Sequence, residues 1–213
     1  MKPHEIYNLI MRETYTTSGL GVDWTTVIEP TGQKVYLLFQ GSTTADDWLH
    51  NFDFLPRPCR PYKDMKYPWF CHAGIAKMYK SARDDIKTAI AEIMKEHPIY
   101  DICVAGHSQG GGIAQLCAED LAYDGYATVS CVTFGSPRVF YGRNARYHIC
   151  SQVILADQYE NGSDIVPTVP PFAFSIGHAR YGHTVHVGEP FSLLKVKDTA
   201  KYHMGYGDAE LYE

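Results

Sequence analysis

Apolar positions fall into two kinds of block along the chain. Val22–Ile28 and Lys34–Phe39 are short runs rich in β-branched and aromatic residues, joined through Pro30-Thr31-Gly32. They predict a hairpin. Gly74–Glu96 carries Ile75, Met78, Tyr79, Ala82, Ile86, Ile90 and Ile93 on one stripe, with Pro98 just past its end. That spacing predicts a long amphipathic helix. Glu5–Thr14 repeats the pattern more briefly through Ile6, Leu9 and Ile10. Ile102–Ala105, Thr128–Phe134 and Gln152–Ala156 are compact apolar runs of the kind found in strands buried on both faces. Between the first two, Ile113, Ala114, Leu116, Cys117 and Leu121 recur at helical spacing. Thr184–Val187 and Ser192–Val196 predict a second, later hairpin. Phe54–Phe70 has four prolines before Trp69 and predicts an irregular loop. The polar, Tyr-rich tail Lys197–Glu213 has room for one short helix.

Strands and helices thus alternate through the middle, with a hairpin at each end. That order implies an α/β fold: a mostly parallel central sheet, helices on both faces and antiparallel hairpins at the ends. The length of 213 residues suits one domain over residues 1–213. A chain 45% hydrophobic and 20% charged is ordinary for a globular protein. The net charge of −5 offers no footprint for nucleic acid. No apolar run is long enough to span a membrane. Met1–Met11 lacks the apolar segment and cleavage site of a signal peptide, which reads as cytoplasmic, with a secreted mature form left open. Of the six cysteines, Cys103, Cys117 and Cys131 sit in apolar runs and read as small buried hydrophobes. Cys59 and Cys71 bracket the Pro-rich loop and would pair only in an oxidising compartment. No C-x-x-C occurs, which argues against structural zinc.

The chemistry concentrates at Gly106-His107-Ser108-Gln109-Gly110, a G-x-S-x-G with an apolar strand before it and a helical run after it. A strand-to-helix turn this tight holds its central serine on a sharp corner with the hydroxyl exposed. The flanking glycines leave room for the strand and helix to approach. The helix N-terminus adds partial positive charge where an oxyanion forms. Ser108 is therefore a candidate nucleophile, and the Gln109 N–H a candidate oxyanion donor. His107 is expected to pack and hydrogen-bond beneath the turn.

A serine nucleophile needs a base, and the base needs a carboxylate. On this architecture the order is Ser, Asp or Glu, His. Asp157 follows the apolar run directly, and Asp164 lies further along, in Asn161-Gly162-Ser163-Asp164. Four histidines come after it: His178, His183, His186 and His203. His186 lies inside a strand-like run, where the pleat fixes its direction. His178 and His183 sit in a loop, and His203 follows the last strand. The first three also cluster, but without nearby carboxylates no metal is indicated. A second oxyanion donor is needed from an earlier strand end, which Gly41-Ser42 supplies; Ser42 also suits the N-cap of a short helix before Asn51. No step of this chemistry calls for a cofactor.

These motifs together resemble the class 3, fungal-type triacylglycerol lipases of the α/β-hydrolases. The matching stretches are Phe39-Gln40-Gly41-Ser42 with Asp47-Trp48, His72-Ala73-Gly74-Ile75, Gly106 to Gly110, Thr133 to Arg138, Asp164-Ile165-Val166-Pro167, Pro170-Pro171 and Tyr181-Gly182-His183. Gln40 stands where the family pattern has Arg. The resemblance implies Ser108 as nucleophile, Asp164 as acid, His203 as base, and Ser42 with Gln109 as oxyanion hole. It places a lid over Thr43 to Asn51, with Thr43, Trp48 and Leu49 facing substrate. It implies a carboxylic-ester hydrolase acting on a small-molecule or lipid ester, in the latter case at a lipid–water interface. Phospholipase A1, feruloyl-type esterase and thioesterase activities use the same three groups. A lipase-like scaffold without catalysis is the reading from another class.

Overall fold

The computed structural model of the chain describes residues 1–41, 56–59, 69–126, 128–142, 144, 145, 149, 153, 155–170 and 182–213. Ser42, Thr43, Trp48, Leu49 and His178 lie outside the described residues, as does the short helix expected before Asn51.

A seven-stranded sheet runs in the order β1 (Thr16–Ser18), β2 (Val22–Glu29), β3 (Lys34–Phe39), β6 (Asp101–His107), β7 (Val129–Phe134), β9 (Leu155–Asn161), β10 (His183–Val187). β1, β2 and β3 pair antiparallel, and every neighbour from β3 to β10 pairs parallel. The expected first hairpin forms, with Val27 opposite Tyr36. Its turn places Gln33 rather than Gly32 in the left-handed region, at φ 48°.

Alternation along β3 shows why its apolar run is unbroken. Val35, Leu37 and Phe39 enter a core shared with α2 (Ala73–Glu96) and α3 (Ser108–Tyr123). Tyr36 and Leu38 enter a second core under α1 (Pro3–Arg12), with Ile6, Tyr7, Leu9 and Ile10. A strand covered by helices on both faces has no solvent side on which to place polar residues. α1 begins with Pro3, and the Glu5 carboxylate accepts the Lys2 N–H at 2.6 Å. No helix among the described residues is long and apolar enough to cross a membrane.

Three expectations are corrected. The strand placed at Gln152–Ala156 starts at Leu155 and runs on through Asp157 to Asn161, so Asp157 belongs to a strand and not to the loop after it. The second hairpin does not form: β10 pairs parallel to β9, and Leu193–Asp198 is a 3-10 turn with Leu193 and Leu194 81% and 87% exposed. The Pro-rich loop contains strand at both ends. β4 (Pro56–Cys59) and β5 (Trp69–His72) join β8 (Phe140–Tyr141) in a small antiparallel sheet. Prolines are tolerated there because β4 is an edge strand. The register sets Trp69 opposite Cys59 and Arg57 opposite Cys71. The tail helix forms as α4 (Thr199–His203).

α2 and α3 are joined by charge. Asp120 is buried in α3 and accepts from Tyr79 Oη at 2.7 Å and from Arg83 Nε and Nη2 at 2.5 and 2.8 Å. Lys87 lies 3.6 Å away. Burial pushes the Asp120 carboxyl up, but Arg83, Tyr79 and Lys87 together hold it below the usual range. Because its folded value is depressed, its contribution is present above the unfolded pKa and fades as pH falls through the folded one. Asp120→Asn is expected to cost about 2–3 kcal/mol in urea unfolding at pH 7. The gap to the wild type should shrink when the titration is repeated near pH 3.

Candidate active site

β6 ends at His107 and α3 starts at Ser108, with no residue between them. Ser108 takes φ 56°. The left-handed region costs an L-residue about 1–2 kcal/mol. Close packing enforces it. A Cβ on Gly106 would collide with the Gly110 carbonyl, and one on Gly110 would sit 2.5 Å from the Phe39 carbonyl oxygen. A Cβ on Gly41 would lie 2.7 Å from that of Ser108, so the chain leaving β3 passes directly against the serine. Ser108 is fully buried, and its Oγ has no hydrogen-bond partner among the described residues. Gln109 follows in the first turn of α3, where backbone N–H groups lack intrahelical partners.

The loop after β9 and the turn ending α4 bring Asp164 and His203 together. His203 Nδ1 donates to Asp164 Oδ2 at 2.8 Å, and both side chains are buried. The Val166 N–H donates to Asp164 Oδ1 at 2.9 Å, and Tyr206 Oη donates to Oδ2 at 2.7 Å. Burial, then the Asp164 charge, push the Tyr206 phenol well above its usual value, so it remains a donor. With the Nδ1 proton committed to the carboxylate, His203 presents an Nε2 lone pair. That atom is buried and makes no hydrogen bond among the described residues. Gly135, at the end of β7 with φ 55°, makes room for the pair. A Cβ there would fall 2.6 Å from Asp164 Oδ2 and 2.8 Å from His203 Nδ1.

The competing residues are engaged elsewhere. Asp157 faces His183 across β9 and β10 at 3.7 Å, and Glu160 faces His186 at 3.5 Å. Both histidines are largely exposed. His107 packs beneath the corner as expected, its ring centroid 4.5 Å from that of His203. Burial, and then the neighbouring His203, lower its pKa to about 3, so it is neutral. His72 caps α2, its Nδ1 accepting the Ile75 N–H at 3.4 Å. Sequence reasoning reaches Gly135 only as part of the Thr133 to Arg138 stretch and does not reach Tyr206. Tyr206 has a local trace only in lying three residues after His203.

Comparison with known proteins places the chain in a family. The profile of the family described as lipase (class 3) matches residues 36–174. The chain belongs to the class 3 lipase family. A lipase from Rhizomucor miehei is 30% identical over 169 residues, covering 73% of this chain and 45% of that protein. A secreted mono- and diacylglycerol lipase from Fusarium solani is 28% identical, covering 76% and 46%. Among solved structures, a triacylglycerol lipase whose catalytic centre is described as a serine protease triad superposes with a TM-score of 0.71 at 26% identity, covering 83% of this chain and 66% of that one. The chain spans a little under half the length of the two sequence relatives. The class 3 lipase chain therefore has the α/β-hydrolase architecture, with Ser108, Asp164 and His203 all beyond the carboxyl ends of parallel strands, where ligands of open α/β sheets bind.

The strain at Ser108 has a measurable consequence. Ser108→Gly removes both the left-handed penalty and a buried, unsatisfied hydroxyl. It is expected to raise stability by about 1 kcal/mol in urea titration. A less stable glycine variant would show that the corner is relaxed.

Proposed function

We propose that the protein is a serine carboxylic-ester hydrolase of the lipase type, with Ser108 as nucleophile, His203 as base and Asp164 as its carboxylate partner. One observation carries the reading. A serine forced into a left-handed corner and a histidine held by a carboxylate both keep a buried polar atom unsatisfied among the described residues. Each such group costs about 1–3 kcal/mol. A scaffold with no reaction to perform gains nothing from that expense, which disfavours the non-catalytic reading. A chemical step uses both atoms. His203 Nε2 takes the Ser108 proton as Oγ attacks the ester carbonyl, and Asp164 stabilises the imidazolium. His203 then protonates the leaving alcohol, and water repeats the sequence on the acyl-enzyme.

The developing oxyanion is assigned to the Gln109 N–H, at the positive end of α3, and to Ser42, whose predecessor Gly41 packs against Ser108. Ser108 has no solvent exposure, so an ester reaches it only after a rearrangement. The lid role that the family resemblance implies is assigned to Thr43, Trp48 and Leu49. Relatives named as lipases favour a lipid ester over a small soluble one. The cytoplasmic expectation finds no support, and the secreted relative favours an extracellular protein.

Hydrolysis of p-nitrophenyl esters from C2 to C16 tests the assignment. Ser108→Ala and His203→Ala are each expected to lower kcat by about 10⁴-fold or more, and Asp164→Asn by about 10³–10⁴-fold. His183→Ala should keep at least about a tenth of the rate, its partner being Asp157. If Asp157→Asn cost more than Asp164→Asn, the acid would be reassigned.

A further inference from the structure

α4 is five residues long and ends at His203. A helix that short has almost no stability of its own, and its last carbonyls have no partners within it. Its neighbours Ala200, Lys201 and Met204 are exposed. Nothing in α4 itself fixes the His203 ring. What surrounds it does. Three consecutive carbonyls accept side-chain donors from three different elements. Tyr202 O accepts from Asn161 Nδ2, at the end of β9, at 2.9 Å. His203 O accepts from His107 Nε2, at the end of β6, at 2.7 Å. Met204 O accepts from Tyr7 Oη, in α1, at 3.0 Å.

The donors also brace one another. The Tyr7 ring stands edge-on to His107 with centroids 5.3 Å apart, and contacts Phe134 and Tyr206 at 5.4 and 5.7 Å. The Asn161 N–H donates to Tyr206 Oη at 3.0 Å, and that hydroxyl holds Asp164. The neutral His107 ring donates through Nε2–H, the tautomer that a carbonyl partner requires.

We propose that Tyr7, His107 and Asn161 form a clamp on the backbone of residues 202–204 that sets the position of the His203 ring, making the first helix of the chain a working part of the site. The inference rests on the reading of His203 as the base, and it assigns the three donors as positioning residues. His107 is bonded by backbone to Ser108, so its bond to the His203 carbonyl ties nucleophile and base into one unit. Tyr7 extends that unit to a segment more than 190 residues away in sequence.

Tyr7→Phe deletes one hydroxyl and keeps the ring. His107→Leu deletes the donor, and His107→Gln restores an N–H at a similar reach. Each is compared with wild type and His203→Ala on a soluble p-nitrophenyl ester, well below its Tm, and by the proton NMR signal of the His203 Nδ1–H. Misplacement of a catalytic group by about 1 Å costs on the order of 10²-fold. The expected losses in kcat are therefore about 10²-fold for His107→Leu and about tenfold for Tyr7→Phe, with KM within about twofold. His107→Gln should recover most of the loss, and the Nδ1–H signal should broaden in Tyr7→Phe and His107→Leu. A lowered Tm with unchanged kcat and an unchanged signal in Tyr7→Phe would overturn the clamp. That result stands even if His107→Leu does not fold. Retention of activity in His203→Ala would instead overturn the assignment of the base, and the NMR signal would still report on the clamp.

Discussion

The contact between β6 and α3 at Ser108 is the constraint from which the site follows. Strand and helix meet without a linking residue, and three glycines allow it. Gly106 and Gly110 let the backbones touch, and Gly41 lets the end of β3 slide past. The cost is a left-handed serine whose hydroxyl is buried and unsatisfied among the described residues. The cores on both faces of the sheet hold that corner in place. Remove the packing, and the corner has every reason to relax.

The partner pair is built differently. Asp164 sits in the loop after β9, and His203 ends α4, a helix of five residues too short to fix it alone. Their order comes from hydrogen bonds: Val166 and Tyr206 on the carboxylate, and donors from α1, β6 and β9 around α4. Gly135 supplies the space in which they meet. A serine held by close packing at the end of β6 is thus joined in the proposed site by a His–Asp pair assembled from far-apart pieces of chain. In the proposed reaction this division has a use, because the strained corner is set by the core while the imidazole is set by a polar network.

Much of this was legible in the sequence, and the reasons are local. G-x-S-x-G between an apolar strand and a helical run marks the corner, and the unbroken apolar runs of β3, β6 and β7 mark a sheet covered on both faces. What misled was polar pairing across strands. β9 reads Leu-Ala-Asp-Gln-Tyr-Glu-Asn, with its acidic residues set opposite His183 and His186 of β10, so its apolar signal is weak and stops short of the strand's end. Leu193 and Leu194 look like strand residues but are solvent-exposed in a 3-10 turn. β4 contains two prolines, which only an edge position tolerates. Tyr7 and Asn161 carried no signal at all, because their partners near His203 lie 197 and 41 residues away.

Everything in the proposed reaction turns on Ser108 Oγ being the atom that attacks. The most direct measurement is peptide mapping by mass spectrometry after inactivation with an alkyl fluorophosphonate. One adduct per chain is expected, on the peptide containing Ser108, and no adduct when the same reagent meets His203→Ala at equal exposure. A stoichiometric adduct on any other residue, or equal labelling of Ser108 without His203, would contradict it.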